Sequence, residues 1–170
     1  MHRTRPPYAP VPLPQPFAHP PVIDPVLQRL QSGVVITWSV SEHPSTAAAH
    51  MVLPYGEVWQ NRPATSPCTS SLTIWSEPTR DRPIVIIKEP YVTIGDVLWH
   101  VYLAIRAAAR EHYQPTPQPL LFHPHARPLP VPDVDEHQLR QWVLRYLNGH
   151  TVWKGLTFHD PDSWWLDVRR

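Results

Sequence analysis

Proline limits this chain more than any other residue type. There are 24 in 170 residues, and they are clustered: nine fall within residues 1–25 and seven within residues 115–132. Proline lacks the backbone N–H and fixes φ at roughly −65°, so neither stretch can be a helix or a central strand. Both are expected to run extended, near polyproline II. So much proline with no other signal would point to disorder. The chain also has 8 Trp, 6 Tyr and 3 Phe, however, and disordered chains are poor in aromatics because they have no core to hold them. A packed core joined by stiff connections is the expectation.

The organisation expected is a Pro-rich arm at residues 1–21 and a single domain at residues 22–170 with an internal Pro-rich linker at residues 115–132. The arm allows two readings. It can be a ligand for an aromatic-lined groove on another protein, or it can wrap its own domain through Tyr8, Val11, Leu13 and Phe17. Its tyrosine follows Pro6-Pro7 directly, which is not the Pro-Pro-x-Tyr order that WW domains take.

Periodicity locates the regular elements. Residues 25–30 fit one helical turn ending before Gly33. Residues 34–40, β-branched and aromatic, predict a strand. Residues 45–50 read as an irregular crossing segment or a capped turn, followed by a short extended piece at Glu57-Val58-Trp59. Leu72–Trp75 and Ile84–Lys88 predict an antiparallel hairpin with a long loop. Ile94, Val97, Leu98, Val101, Tyr102 and Ile105 follow helical spacing, with Thr93 and Asp96 as a capping box. Trp99 and Leu103 widen that surface, which predicts a well-buried helix. A second helix is expected after Asp135, with Gln138 completing its cap. Leu139, Trp142, Val143, Tyr146 and Leu147 form its apolar face, and Asn148-Gly149 its left-handed end. Residues 152–168 predict a closing hairpin in which Trp164, Leu166 and Val168 share one face and Trp165 and Asp167 the other. The fold class is α+β: a small, mostly antiparallel sheet with two packed helices and Pro-rich extended segments.

Charge narrows the partners. The formal net charge is +1, and only two of the fifteen basic residues are Lys. Nucleic-acid binding draws most of its affinity from clustered cations, so no nucleic-acid partner is expected. Single Cys68 permits no intrachain disulfide, and nothing implies an oxidising compartment. No apolar run of the ~18 residues a membrane span needs is present. Prolines break every candidate signal core. An intracellular location, cytoplasmic or nuclear, is expected, with no membrane partner.

Several blocks, in order, resemble a domain family of unknown function found largely in basidiomycete fungi. They are Asp24-Pro25-Val26-Leu27, Ile36-Thr37-Trp38-Ser39-Val40 with Pro44, Ala64-Thr65 with Pro67 and Leu72-Thr73-Ile74, Val92-Thr93-Ile94-Gly95-Asp96-Val97-Leu98, and Trp153, Gly155 and Leu156 followed by residues 160–166. The resemblance spans residues 22–170. Arg82-Pro83 stands where the family often has Pro-Trp. The resemblance implies no reaction, so no catalytic residue is carried over.

The remaining chemistry is thin. His123-Pro124-His125 with His112, His137 or His159-Asp160 offers zinc-ligand types, but surface histidines in polar loops are the plainer reading. No metal site and no cofactor are expected. His100 and Asp96, four apart, fit a local helix interaction better than an acid–base pair. His159, Asp160 and Asp162 have ordinary turn composition. Cys68, with no cation beside it in sequence, reads as a semi-buried structural thiol. There is no Gly-x-Ser-x-Gly elbow and no Gly-rich phosphate loop. Eight Trp exceed what one small core needs, and exposed Trp is a common binding anchor. The leading expectation is therefore a non-catalytic protein-interaction domain with an aromatic surface patch. Trp59, Trp165, Tyr8 and Phe17 are its candidate contacts, and another protein or peptide is the partner. The alternative is a hydrolase or metal-dependent enzyme using the clustered His and Asp.

Overall fold

Alternation of buried and exposed residues along four strands builds the central sheet. The computed structural model describes residues 20–30, 35–50, 58–79, 82–114, 134–160 and 163–169. Tyr8 and Phe17 of the arm, and the 115–132 linker with His123 and His125, lie outside the described residues.

In chain order the first elements are short: β1 (Val22–Ile23), β2 (Ile36–Thr37), β3 (Ala48–Ala49) and β4 (Thr65–Ser66). β1 pairs with β4 and β2 with β3, both antiparallel. The main sheet comprises β5 (Ser71–Ser76), β6 (Ile84–Ile87), β7 (Val152–Asp160) and β8 (Ser163–Arg169) in the order β6-β5-β8-β7. Its two hairpins are antiparallel, and β5 and β8 meet in parallel at the centre. Between the hairpins run α1 (Ile94–Tyr113) and α2 (Glu136–Tyr146). The fold is α+β with mostly antiparallel strands.

Both helices start where their caps dictate. Thr93 accepts the Asp96 N–H, and the Asp96 carboxylate accepts the Thr93 N–H at 2.9 Å, closing a capping box. Asp135 accepts the Gln138 N–H at 2.7 Å. α2 ends through Asn148 (φ 49°) and Gly149 (φ 75°), both left-handed. One face of the sheet supplies Leu72, Ile74, Ile84, Ile86, Trp164 and Leu166 to the core, which also holds Ile94, Val97, Leu98, Val101 and Ile105 of α1 and Val143 of α2.

Several sequence expectations are corrected. Residues 25–30 form a turn rather than helix: Asp24 accepts the Val26 N–H through its side chain and the Leu27 N–H through its carbonyl. The strand expected at 34–40 is regular only at Ile36–Thr37, because from Trp38 on the backbone bonds to β7 and its flank and not to β3. Residues 59–61 make a 3-10 turn in place of an extended piece. Trp99 and Leu103 are 41% and 43% exposed rather than buried. They point away from the side of α1 that meets the sheet. Cys68 is exposed, since it follows β4 in a surface loop.

Candidate functional site

The two edges of the main sheet are treated differently by the chain. β7 is covered by the segments that precede it in sequence. The Leu156 N–H donates to the Leu27 carbonyl at 2.7 Å, and the Arg29 N–H to the Leu156 carbonyl at 3.0 Å. Further along, the Trp153 N–H donates to the Trp38 carbonyl at 2.9 Å and the Val40 N–H to the Thr151 carbonyl at 2.8 Å. Gly155 permits the close approach. A Cβ there would lie 2.5 Å from the Arg29 backbone nitrogen, and its φ of +101° suits glycine alone. Arg29 also pairs with Asp167 of β8 at 2.5 Å.

β6 is the opposite case. The Lys88 N–H donates to the Ser70 carbonyl, which sets the ladder with β5: Ile84, Ile86 and Lys88 turn their peptide groups toward β5. Antiparallel alternation then turns the N–H and C=O of Val85 and Ile87 away from it. Among the described residues none pairs with those four groups. The Val85 and Ile87 side chains are 52% and 74% exposed on the face of the sheet opposite the helices.

α1 runs alongside this free edge. Lys88 pairs with Asp96 near the start of the helix, both Nζ–O distances 2.8 Å, and Arg82 forks onto Glu111 near its end at 3.0 and 3.1 Å. From residue 96 to 111 a helix rises about 22 Å. From residue 82 to 88 a strand rises about 20 Å. The helix therefore flanks the strand along its whole length, antiparallel to it. A groove of about 390 Å³ opens at the Arg82 end, walled by Pro78, Pro83, Ala104, Ala107 and Glu111. Burial alone would raise the Asp96 carboxyl, but the Lys88 and Thr93 hydrogen bonds outweigh it and hold the group below the ordinary carboxylate value.

The open face carries the aromatic groups. Trp75 of β5 and Trp165 of β8 are register neighbours and both are partly exposed. Thr73 sits beside Val85, and Thr157 beside Trp165. The His159 ring stands 5.6 Å from Trp165. The result is an apolar and aromatic strip across the strands: Ile87 and Val85, then Trp75, then Trp165. Of the four candidate contacts, Trp165 lies on this strip. Trp59 does not: it is partly buried on the 3-10 turn that packs against α1, on the helix side of the sheet. Trp75, Val85 and Ile87 were not singled out from sequence. Ile84–Ile87 is apolar at every position, and this lack of alternation was the available signal that its outer face is apolar too.

The other clusters are local. His100 Nδ1 bonds the Asp96 backbone carbonyl at 2.8 Å, while the Asp96 carboxylate goes to Lys88 and Thr93, so the two side chains form no acid–base pair. His159 and Asp160 stand 3.5 Å apart, both exposed. Among the described residues no three His, Cys, Asp or Glu side chains converge as metal ligands, and none of the helices is long and apolar enough to cross a membrane.

Fold and surface together define a class: a small α+β domain whose four-stranded sheet carries helices on one face and, among the described residues, none on the other. The chain belongs to the family of unknown function DUF6699, which it matches over residues 36–163. No curated protein and no solved structure matches it.

Proposed function

We propose that this is a non-catalytic, intracellular protein-interaction domain, from a basidiomycete fungus, that engages another protein or peptide through the open face of its sheet. One observation carries the reading: two tryptophans, Trp75 and Trp165, stand side by side in register on a face the helices leave free. Tryptophan brings large contact area with little conformational entropy to lose, and such residues dominate binding energy where they cluster. Val85 and Ile87 extend the same face with exposed aliphatic surface. Residues 22–170 form the binding domain in this reading, and the 1–21 arm, with Tyr8 and Phe17, is a second contact segment.

Selection of a random peptide-display library on the immobilised protein tests the proposal. Enriched peptides are expected to lose at least about tenfold in affinity to Trp165→Ala, roughly 1.4 kcal/mol, with the fold intact. A library that yields no enriched sequence, or peptides indifferent to both Trp75→Ala and Trp165→Ala, would contradict it. The alternative of a hydrolase or metal-dependent enzyme is tested by metal analysis of the purified protein, where stoichiometric zinc, iron or copper would favour that reading.

A further inference from the structure

We propose that the free edge of β6 is a dimerisation edge, on which a second copy of this chain adds its own β6 antiparallel to form a continuous eight-stranded sheet. The occupant follows from self-complementarity in three independent respects.

The first is hydrogen bonding. Val85 and Ile87 turn two donors and two acceptors outward. With a two-fold axis through Ile86, Val85 faces Ile87 of the second copy, and each such pair exchanges two bonds. Both symmetric pairs form together, so all four outward groups on each copy are used. A register that puts Val85 opposite Val85 sets Ile87 against Pro83, which has no N–H to give, and one that puts Ile87 opposite Ile87 sets Val85 against Glu89, beyond the end of the strand.

The second is apolar surface. In that register Val85 and Ile87 meet across the axis on the same face, so four exposed aliphatic side chains become one cluster. Leu103, 43% exposed, lies near the midpoint between the two ion pairs that span α1. It is therefore level with the axis along the strand direction.

The third is charge. The Arg82–Glu111 pair marks one end of the edge and the Lys88–Asp96 pair the other. An antiparallel partner brings its Lys88–Asp96 end to the Arg82–Glu111 end of the first copy. Each end then holds two cations and two anions, with no like-charge face to repel the approach. The interface is isologous and closes on itself. It uses the backbone edge with Val85 and Ile87, the outer end of the apolar strip, and leaves Trp75 and Trp165 uncovered, so the tests at the two tryptophans and at the edge remain distinguishable.

Sedimentation velocity on the full chain tests it, with two double variants at exposed positions. The wild type is expected to sediment as a dimer at about 100 µM. Val85→Lys with Ile87→Lys sets like charges opposite each other across the axis, and is expected to be monomeric with an unchanged circular dichroism spectrum. Val85→Glu with Ile87→Lys sets opposite charges facing each other in this register, and is expected to restore the dimer. A monomeric wild type overturns the proposal and leaves the edge to a different occupant, such as an extended peptide. A dimer that both variants retain, or that both lose, overturns the edge or its register. If either variant misfolds, chemical-shift mapping of wild-type dilution decides: changes centred on Val85 and Ile87 support the proposal, and changes elsewhere overturn it.

Discussion

The two edges of the sheet present the same problem and solve it in opposite ways. Every edge strand exposes backbone donors and acceptors that invite another strand. At β7 the chain satisfies them itself, folding residues 27–29 and 38–40 across the edge, with Gly155 opening the space. At β6 none of the described residues does so, and Val85 and Ile87 stand there with their side chains exposed. One chain thus presents both kinds of edge among its described residues, the uncovered one flanked by a helix and by ion pairs at both ends. That edge is also where apolar exposure is concentrated on the face opposite the helices.

The largest effects are expected where the closed edge is disturbed. Gly155→Ala forces a Cβ against the Arg29 backbone at a positive φ, so a loss of at least about 3 kcal/mol is expected in urea unfolding; a loss under about 1 kcal/mol would mean that the covering segment can lift away cheaply. Leu27, in the covering segment itself, is fully buried, and Leu27→Ala should cost about 2–3 kcal/mol by the same measurement. The flank of the open edge is next. Thr93→Ala removes the cap of α1 and is expected to cost about 1 kcal/mol. Asp96 adds a pH signature. Its folded carboxyl lies below the ordinary value of about 4, so its contribution is complete above that value and fades as pH falls through the lower folded one. Asp96→Asn should flatten the acid limb of stability against pH, and an unchanged limb would remove the carboxylate from the account. The smallest effect belongs to the open edge: the paired Val85→Lys and Ile87→Lys substitutions should alter the stability of the monomer by less than about 0.5 kcal/mol.

The helices and hairpins were legible because each rests on a local rule. The Thr93–Asp96 box, the Asp135 cap, the Asn148-Gly149 end and the alternation through Trp164–Val168 all act within a few residues. What the sequence hid depends on contacts far apart along the chain. Residues 27–29 and 38–40 carry strand and turn composition, but their edge partners are 111 or more positions away in β7 and its flank, which no local pattern announces. Trp99 and Leu103 read as buried because hydrophobicity alone does not say how many neighbours a helix has, and among the described residues Trp99 meets only the edge of the His43 ring and Tyr102 there, which leaves both side chains about two-fifths exposed. Trp165 could be marked as a surplus aromatic. Its pairing with Trp75 required the parallel β5–β8 contact, which joins strands 90 residues apart in register. Cys68 was misread for the same reason: a thiol's burial depends on what packs over its loop.

Amide hydrogen exchange, followed residue by residue at two protein concentrations, tests the contrast most directly. The Trp153 and Leu156 amides, held by the chain itself, should be protected equally in dilute and concentrated samples. Those of Val85 and Ile87 should exchange fast when dilute and become protected as concentration rises. Protection of Val85 and Ile87 that is already complete in dilute solution, or their fast exchange at both concentrations, would contradict an open edge reserved for a second copy.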